Sequence, residues 1–146
     1  MSELHAVAQR QLVAAGQLYT RGRRRLVDAL TEIEGPATIP MILDGRPEFV
    51  QSSVYRNLGV LHAAGLVTKV DVGEGRSYYE LSEMLTSHHH HHLVCRECRT
   101  VVDITLPARV ERSIERGLHD VAVGEGFQLE DHRLDLVGLC ADCQAA

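Results

Sequence analysis

Residues 51–81 read QSSVYRNLGVLHAAGLVTKVDVGEGRSYYEL, and this stretch decides the fold. Val54, Leu58 and Leu61 recur at i, i+4 and i+7, which puts them on one face of a helix over residues 51–64. Ser52 and Ser53 stand near its start, and Gly65 is placed to end it. The pattern then changes. Leu66–Val72 and Arg76–Leu81 read as two strands around Gly73-Glu74-Gly75, a hairpin.

Upstream, Leu4, Val7, Ala8 and Leu12 share one face of a helix over 3–15, which Gly16 interrupts. Thr20 can cap a second helix running to Ile33, with Leu26, Val27, Leu30 and Ile33 inward. Gly35-Pro36 punctuates, and a short helix through Ile39, Met41, Ile42 and Leu43 ends at Asp44-Gly45. Helices followed by a hairpin are the order of a winged helix-turn-helix. There the helix before the hairpin enters the major groove, and the hairpin rests on the phosphate backbone.

Downstream, Ser82–Ser87 reads as a linker. Strands are expected near His89–Val94 and Val101–Ile104, a helix near Ala108–Val121 and a strand near Arg133–Leu139. The fold class expected is α+β: a winged-helix domain over 1–81, a hinge over 82–87 and a small metal-binding α/β domain over 88–146.

The 146 residues are 45% hydrophobic and 24% charged, which reads as folded rather than disordered. Two small domains of this size bury little surface and need fastening by metal or by a partner chain. No stretch approaches the roughly 20 apolar residues that span a bilayer, and Met1–Arg10 lacks a signal-peptide core. The expected place is the cytosol, where thiols stay reduced and cysteines serve metals more often than disulfides.

The net charge of −5 argues at first against nucleic acid, but its distribution does not. Residues 1–30 hold Arg10, Arg21, Arg23, Arg24 and Arg25 against Glu3 and Asp28, a balance of +3. Residues 86–146 carry −4. A basic front and an acidic back suit a DNA-binding part joined to something else. A solvated basic helix is the plainer alternative.

Cys95-x-x-Cys98 and Cys140-x-x-Cys143 are two knuckles separated by 41 residues, and the chain has no other cysteine. Each turn presents two sulfurs to one point, so the pairs can close a tetrahedral Zn²⁺ site with no open position, a structural site. Redox pairs of the thioredoxin kind are the alternative. Five histidines, His88–His92, precede Leu93-Val94-Cys95. On a strand, His90 and His92 face one side and His89 and His91 the other, so one strand can feed two metal sites. Glu80 at the end of the hairpin, Glu111 early in the last helix and His132 before Cys140 are candidate partners.

These residues resemble the ferric uptake regulator family of metalloregulators over roughly residues 10–143. The carrying motifs are Tyr19-Thr-Arg-Gly-Arg-Arg-Arg, Ser53-Val-Tyr-Arg-Asn-Leu, Ala64-Gly-Leu-Val, Ser77-Tyr-Tyr-Glu-Leu, the His88–Cys98 stretch and Cys140-Ala-Asp-Cys, in that order. The resemblance implies a C-terminal dimerisation domain and repression by a metal-loaded homodimer on double-stranded operator DNA. It places Ser53, Tyr55 and Arg56 on the DNA-reading helix. It brings the Arg21–Arg25 segment, with Arg21, Arg23 and Arg24, to the DNA backbone or minor groove. It matches the four cysteines to a structural zinc site. Glu80, His90 and His92 match a sensing site near the hinge, and His89, His91, Glu111 and His132 a further site. Glu111 aligns only with a one-residue insertion.

The histidine run and the short tail look closest to zinc uptake regulators, so control of zinc uptake genes is the function expected. Two positions depart from that subgroup: Thr68 stands where it has an Asp, and Ser82 where it has a Cys. Glu80 instead matches the carboxylate of iron-type members. Asp71, Glu83 or His88 are candidates to complete the site. The regulatory ion is therefore Zn²⁺, or Fe²⁺ or Mn²⁺, and an iron-, manganese- or peroxide-responsive regulator on the same fold is the alternative. An enzyme is not expected: there is no HExxH spacing and no nucleophile motif. Neither a small-molecule substrate nor a membrane partner is expected. A purely structural zinc module that binds protein is the remaining rival.

Overall fold

The computed structural model describes residues 2–146. It divides into two compact units after His88.

The first unit opens with α1 (Glu3–Ala14), capped by the Ser2 side chain on the amide of His5. α2 (Arg21–Ile33) starts where the Thr20 hydroxyl accepts the Arg23 amide at 3.3 Å. α3 (Ile39–Leu43) is capped by Thr38 and has Pro40 in its first turn, where a missing N–H costs nothing. α4 (Gln51–Ala63) begins at Val50, which gives no side-chain cap, and Gly65 follows it at φ +78°, a left-handed conformation that favours glycine.

β1 (Val67–Asp71) and β2 (Ser77–Leu81) pair antiparallel, with Thr68 opposite Glu80 and Asp71 opposite Ser77. Gly73, Glu74 and Gly75 all have positive φ, as the tight reversal requires. Ala37 exchanges backbone hydrogen bonds with Tyr79 at 2.8 and 2.9 Å, so the segment after Gly35-Pro36 ties the helices to the wing. Leu12, Leu26, Ile42, Leu58, Leu61 and Leu66 form the fully buried centre. The winged helix-turn-helix expected from residues 51–81 is the fold of this unit.

Ser82–Ser87, expected as a linker, lies within the first compact unit. It contains one helical turn, α5 (Glu83–Thr86), whose Leu85 packs on the first unit's core. The Ser82 hydroxyl donates to the Gly65 carbonyl at 2.7 Å. A single turn is too short to leave a periodic signature in the sequence.

In the second unit β3 (His91–Cys95) is central. β4 (Val101–Ile104) pairs with it antiparallel and β5 (Asp135–Gly138) parallel. The parallel pairing needs a crossover, which α6 (Ala108–Gly124) supplies. The strand starts two residues later than expected, so His89 and His90 precede it. A short α7 (Ala141–Ala145) follows Cys140. Among the described residues of this unit only His91, His92, Cys95 and Val101 are buried. Leu93, Val102, Leu136 and Val137 on the sheet, Val121 and Val123 at the end of α6, and Phe127 after it are exposed.

Candidate metal centres and candidate nucleic-acid interface

The four cysteines converge, with sulfurs all within 4.8 Å of one another. Cys98 Sγ and Cys140 Sγ are 3.8 Å apart, which is the edge of a tetrahedron with bonds of about 2.3 Å to zinc. The Cys140 amide donates to Cys95 Sγ at 3.4 Å. This amide and that of Cys98 stabilise the thiolate and pull Cys95 down to about 6. Cys143 moves the other way, to about 12, because the sulfurs of Cys140 and Cys95 crowd it. Four thiolates so close repel one another, and a divalent cation removes that repulsion. The donors fit Zn²⁺ and leave it no open position.

A second cluster gathers on Glu111. His132 Nε2 lies 2.7 Å and His89 Nε2 3.0 Å from its Oε1, and His91 Nε2 lies 2.9 Å from its Oε2. His89 and His132 bring their Nε2 atoms to 3.3 Å, the separation of two imidazoles sharing one cation at about 2.0–2.1 Å each. Burial pushes the Glu111 carboxyl up, but hydrogen bonds from His91 and His132 outweigh it and hold the group below its ordinary value of 4.5. Three imidazoles and one carboxylate suit a borderline divalent ion.

The third cluster uses the alternate histidines. His92 Nε2 is 3.3 Å from Asp103 Oδ1, and His90 Nε2 is 3.5 Å from Asp103 Oδ2. His92 Nδ1 is 3.1 Å from Asp135 Oδ1. The second unit thus supplies three donors facing one point: His90, His92 and Asp103. Glu80 stands on β2 of the first unit. Of the residues expected to complete the sensing site, Asp71 lies at the far end of the hairpin from Glu80, hydrogen-bonded to Ser77. Glu83 and His88 are exposed on and after α5. Thr68 faces Glu80 across the ladder, and the Ser82 hydroxyl is engaged by the Gly65 carbonyl.

On α4, Val54, Leu58 and Leu61 face the core, while Tyr55 (63% exposed) and Arg56 face outward. Ser53 is half-buried and accepts from Arg56 Nη2 at 3.5 Å. Arg21 is exposed. Arg23 is engaged: its Nε donates to Asn57 Oδ1 at 3.2 Å and its Nη1 to the Leu18 carbonyl, bracing α2 against α4. The Arg24 guanidinium sits 5.1 Å over the Tyr19 ring. Tyr19 meets His5 Nδ1 at 2.6 Å, and His5 Nε2 meets Asp28 at 2.9 Å. Burial raises the Tyr19 hydroxyl to about 12.

Sequence reasoning missed Asp103 and Asp135. Neither carries a local signal, because only strand pairing brings them beside His92.

The profile described as "Ferric uptake regulator family" matches residues 14–137. The ferric uptake regulation protein of Escherichia coli K12 is 31% identical over 140 residues, covering 91% of this chain and 89% of that protein. That of Bacillus subtilis is 37% identical over 105 residues, covering 70% of this chain and 66% of its relative. The solved Vibrio cholerae ferric uptake regulator superposes with a TM-score of 0.66 at 30% identity, over 90% of this chain and 98% of the other. With this match and these folds, the chain belongs to the ferric uptake regulator family of metal-responsive transcription regulators.

Proposed function

We propose that the chain is a cytoplasmic, homodimeric repressor that binds operator DNA when its regulatory site is filled, and that it controls zinc uptake genes. The winged helix over 1–81 reads DNA, residues 82–87 act as the hinge, and residues 88–146 bind metal and dimerise. The observation that carries the reading is the histidine strand. Alternate residues of the His89–His92 run serve two carboxylate-centred clusters beside an all-thiolate cluster.

The roles divide by chemistry. Cys95, Cys98, Cys140 and Cys143 hold structural zinc, which replaces the hydrophobic core that the second unit lacks. His89, His91, Glu111 and His132 hold a further ion. His90 and His92, with Asp103, form the sensing site, and the family pattern assigns Glu80 to it. A bound divalent cation supplies one positive centre for these donors to share. Glu80 then links the reading unit to the metal-binding unit, and the dimer state with the higher metal affinity is populated. Tyr55 and Arg56 meet the bases, Ser53 supports Arg56, and Arg21, Arg23 and Arg24 serve the backbone. The exposed apolar sheet residues Leu93, Val102 and Leu136 suit burial against a second copy.

A second reading, an iron- or manganese-responsive regulator, is favoured by one observation: the third cluster contributes a carboxylate, Asp103, where a softer ligand set would carry sulfur. The test is fluorescence anisotropy of a palindromic operator duplex against a random one, at buffered free Zn²⁺, Fe²⁺ (anaerobic) or Mn²⁺. Selective tightening at low free Zn²⁺ supports the zinc reading. Tightening only with Fe²⁺ or Mn²⁺ replaces it, and no response to any metal defeats both.

A further inference from the structure

Asp103, His92 and Asp135 lie side by side across the three strands of the second unit. His92 is the register partner of Asp103 on β4 and of Asp135 on β5. Both aspartates reach the same ring from opposite edges. Asp103 Oδ1 is 3.3 Å from Nε2, and Asp135 Oδ1 is 3.1 Å from Nδ1. The His92 side chain is only 6% exposed, while Asp135 is 42% exposed. His90 turns its own Nε2 to Asp103 at 3.5 Å. The metal-ready point is therefore the Nε2 side, and Asp135 stands behind the ring.

A single ion cannot take both nitrogens of one imidazole, so Asp135 is not a ligand of the ion that His92 binds through Nε2. We infer that Asp135 is the positioning residue of the sensing site: it accepts the Nδ1–H of His92, selects the tautomer whose free lone pair is on Nε2, and fixes the ring plane toward Asp103 and His90. This rests on the reading of His90, His92 and Asp103 as metal donors and deepens it. Carboxylates behind a ligating histidine set its tautomer, orientation and basicity, and removing one lowers metal affinity by about 10- to 100-fold. The parallel pairing of β3 with β5 gives the device its precision, because the backbone register itself sets the aspartate opposite the ring. The His92 amide also bonds the Leu134 carbonyl at 3.1 Å, which locks that register one residue before Asp135.

The test uses the full chain with its structural zinc retained. Two quantities are read: the His92 tautomer, from long-range ¹⁵N–¹H NMR before the regulatory metal is added, and Zn²⁺ affinity, by competition with a chromophoric chelator. The unchanged chain is expected to show the Nδ1–H tautomer. Asp135→Ala should give mixed tautomers and an affinity about 10- to 100-fold weaker. Asp135→Asn, whose amide oxygen still accepts, should keep the tautomer and lose less affinity, which separates positioning from a folding defect. Unchanged tautomer and affinity in Asp135→Ala would overturn the inference while leaving the sensing site intact. If His92→Ala leaves Zn²⁺ stoichiometry and affinity as they were, the sensing-site reading itself fails, and the inference with it.

Discussion

Arg23 Nε donates to Asn57 Oδ1 at 3.2 Å, joining the start of α2 to the outer side of α4. A basic residue of the segment proposed to meet DNA is thus also a brace for α4. Arg23→Ala is expected to lower the unfolding free energy of the first unit by about 1–2 kcal/mol, besides weakening DNA binding. Arg21→Ala, at an exposed position, should weaken DNA binding almost equally for all sequences. It should also reduce the slope of log affinity against log salt by about 1 per protomer. Denaturation and salt-dependent anisotropy on the two variants check this.

Leu58 and Arg56 are two residues apart on α4 and face opposite ways. Leu58→Ala should cost about 2–5 kcal/mol of stability, because Leu58 is fully buried in the centre of the first unit. Arg56→Ala should leave thermal melting almost unchanged and lose about 1–3 kcal/mol of discrimination between operator and random duplex. A melt and a competition titration separate the two effects.

Glu111 is held below its ordinary value by the His91 and His132 hydrogen bonds. A carboxyl whose folded value is depressed contributes stability that is present above its unfolded value and is lost as pH falls through the folded one. Before the second ion is added, Glu111→Gln should therefore melt lower than the unchanged chain at pH 7. The difference should close as pH falls below about 4.5, the group's ordinary value. A melting series from pH 7 to pH 3 measures it; a difference that persists undiminished at pH 3 would contradict the assignment.

Cys98 and Cys140 are 3.8 Å apart at a site that joins β3 to the end of the chain. Cys140→Ser, or removal of zinc by a strong chelator, should abolish cooperative melting of the second unit and dimerisation together, because that unit buries only four of its described residues. The first unit, with its own core, should keep its melting transition. Calorimetry and light scattering read both.

Where the sequence was legible, the reason is local periodicity or spacing. The switch at Gly65 from helical to strand pattern marks the recognition helix and its wing, and the two CxxC knuckles mark one shared sulfur cluster. The alternation along His89–His92 separates two clusters because successive side chains diverge by sides, even though His89 and His90 lie just outside the strand. Asp103 and Asp135 were not legible, because pairing register is a long-range property that no local window contains. Arg21 and Arg23 look alike in composition, and only the packing of α2 on α4 distinguishes the exposed one from the braced one.

The most direct measurement is the ratio of operator affinities with and without regulatory metal, compared between the unchanged chain and the Glu80→Ala and His90→Ala variants, with structural zinc retained throughout. The account predicts that metal tightens the unchanged chain by one to two decades, as a coupling of about 1–3 kcal/mol would. It predicts that each variant keeps its metal-free affinity but loses most of that ratio. Metal-dependent tightening that survives intact in both variants would contradict it.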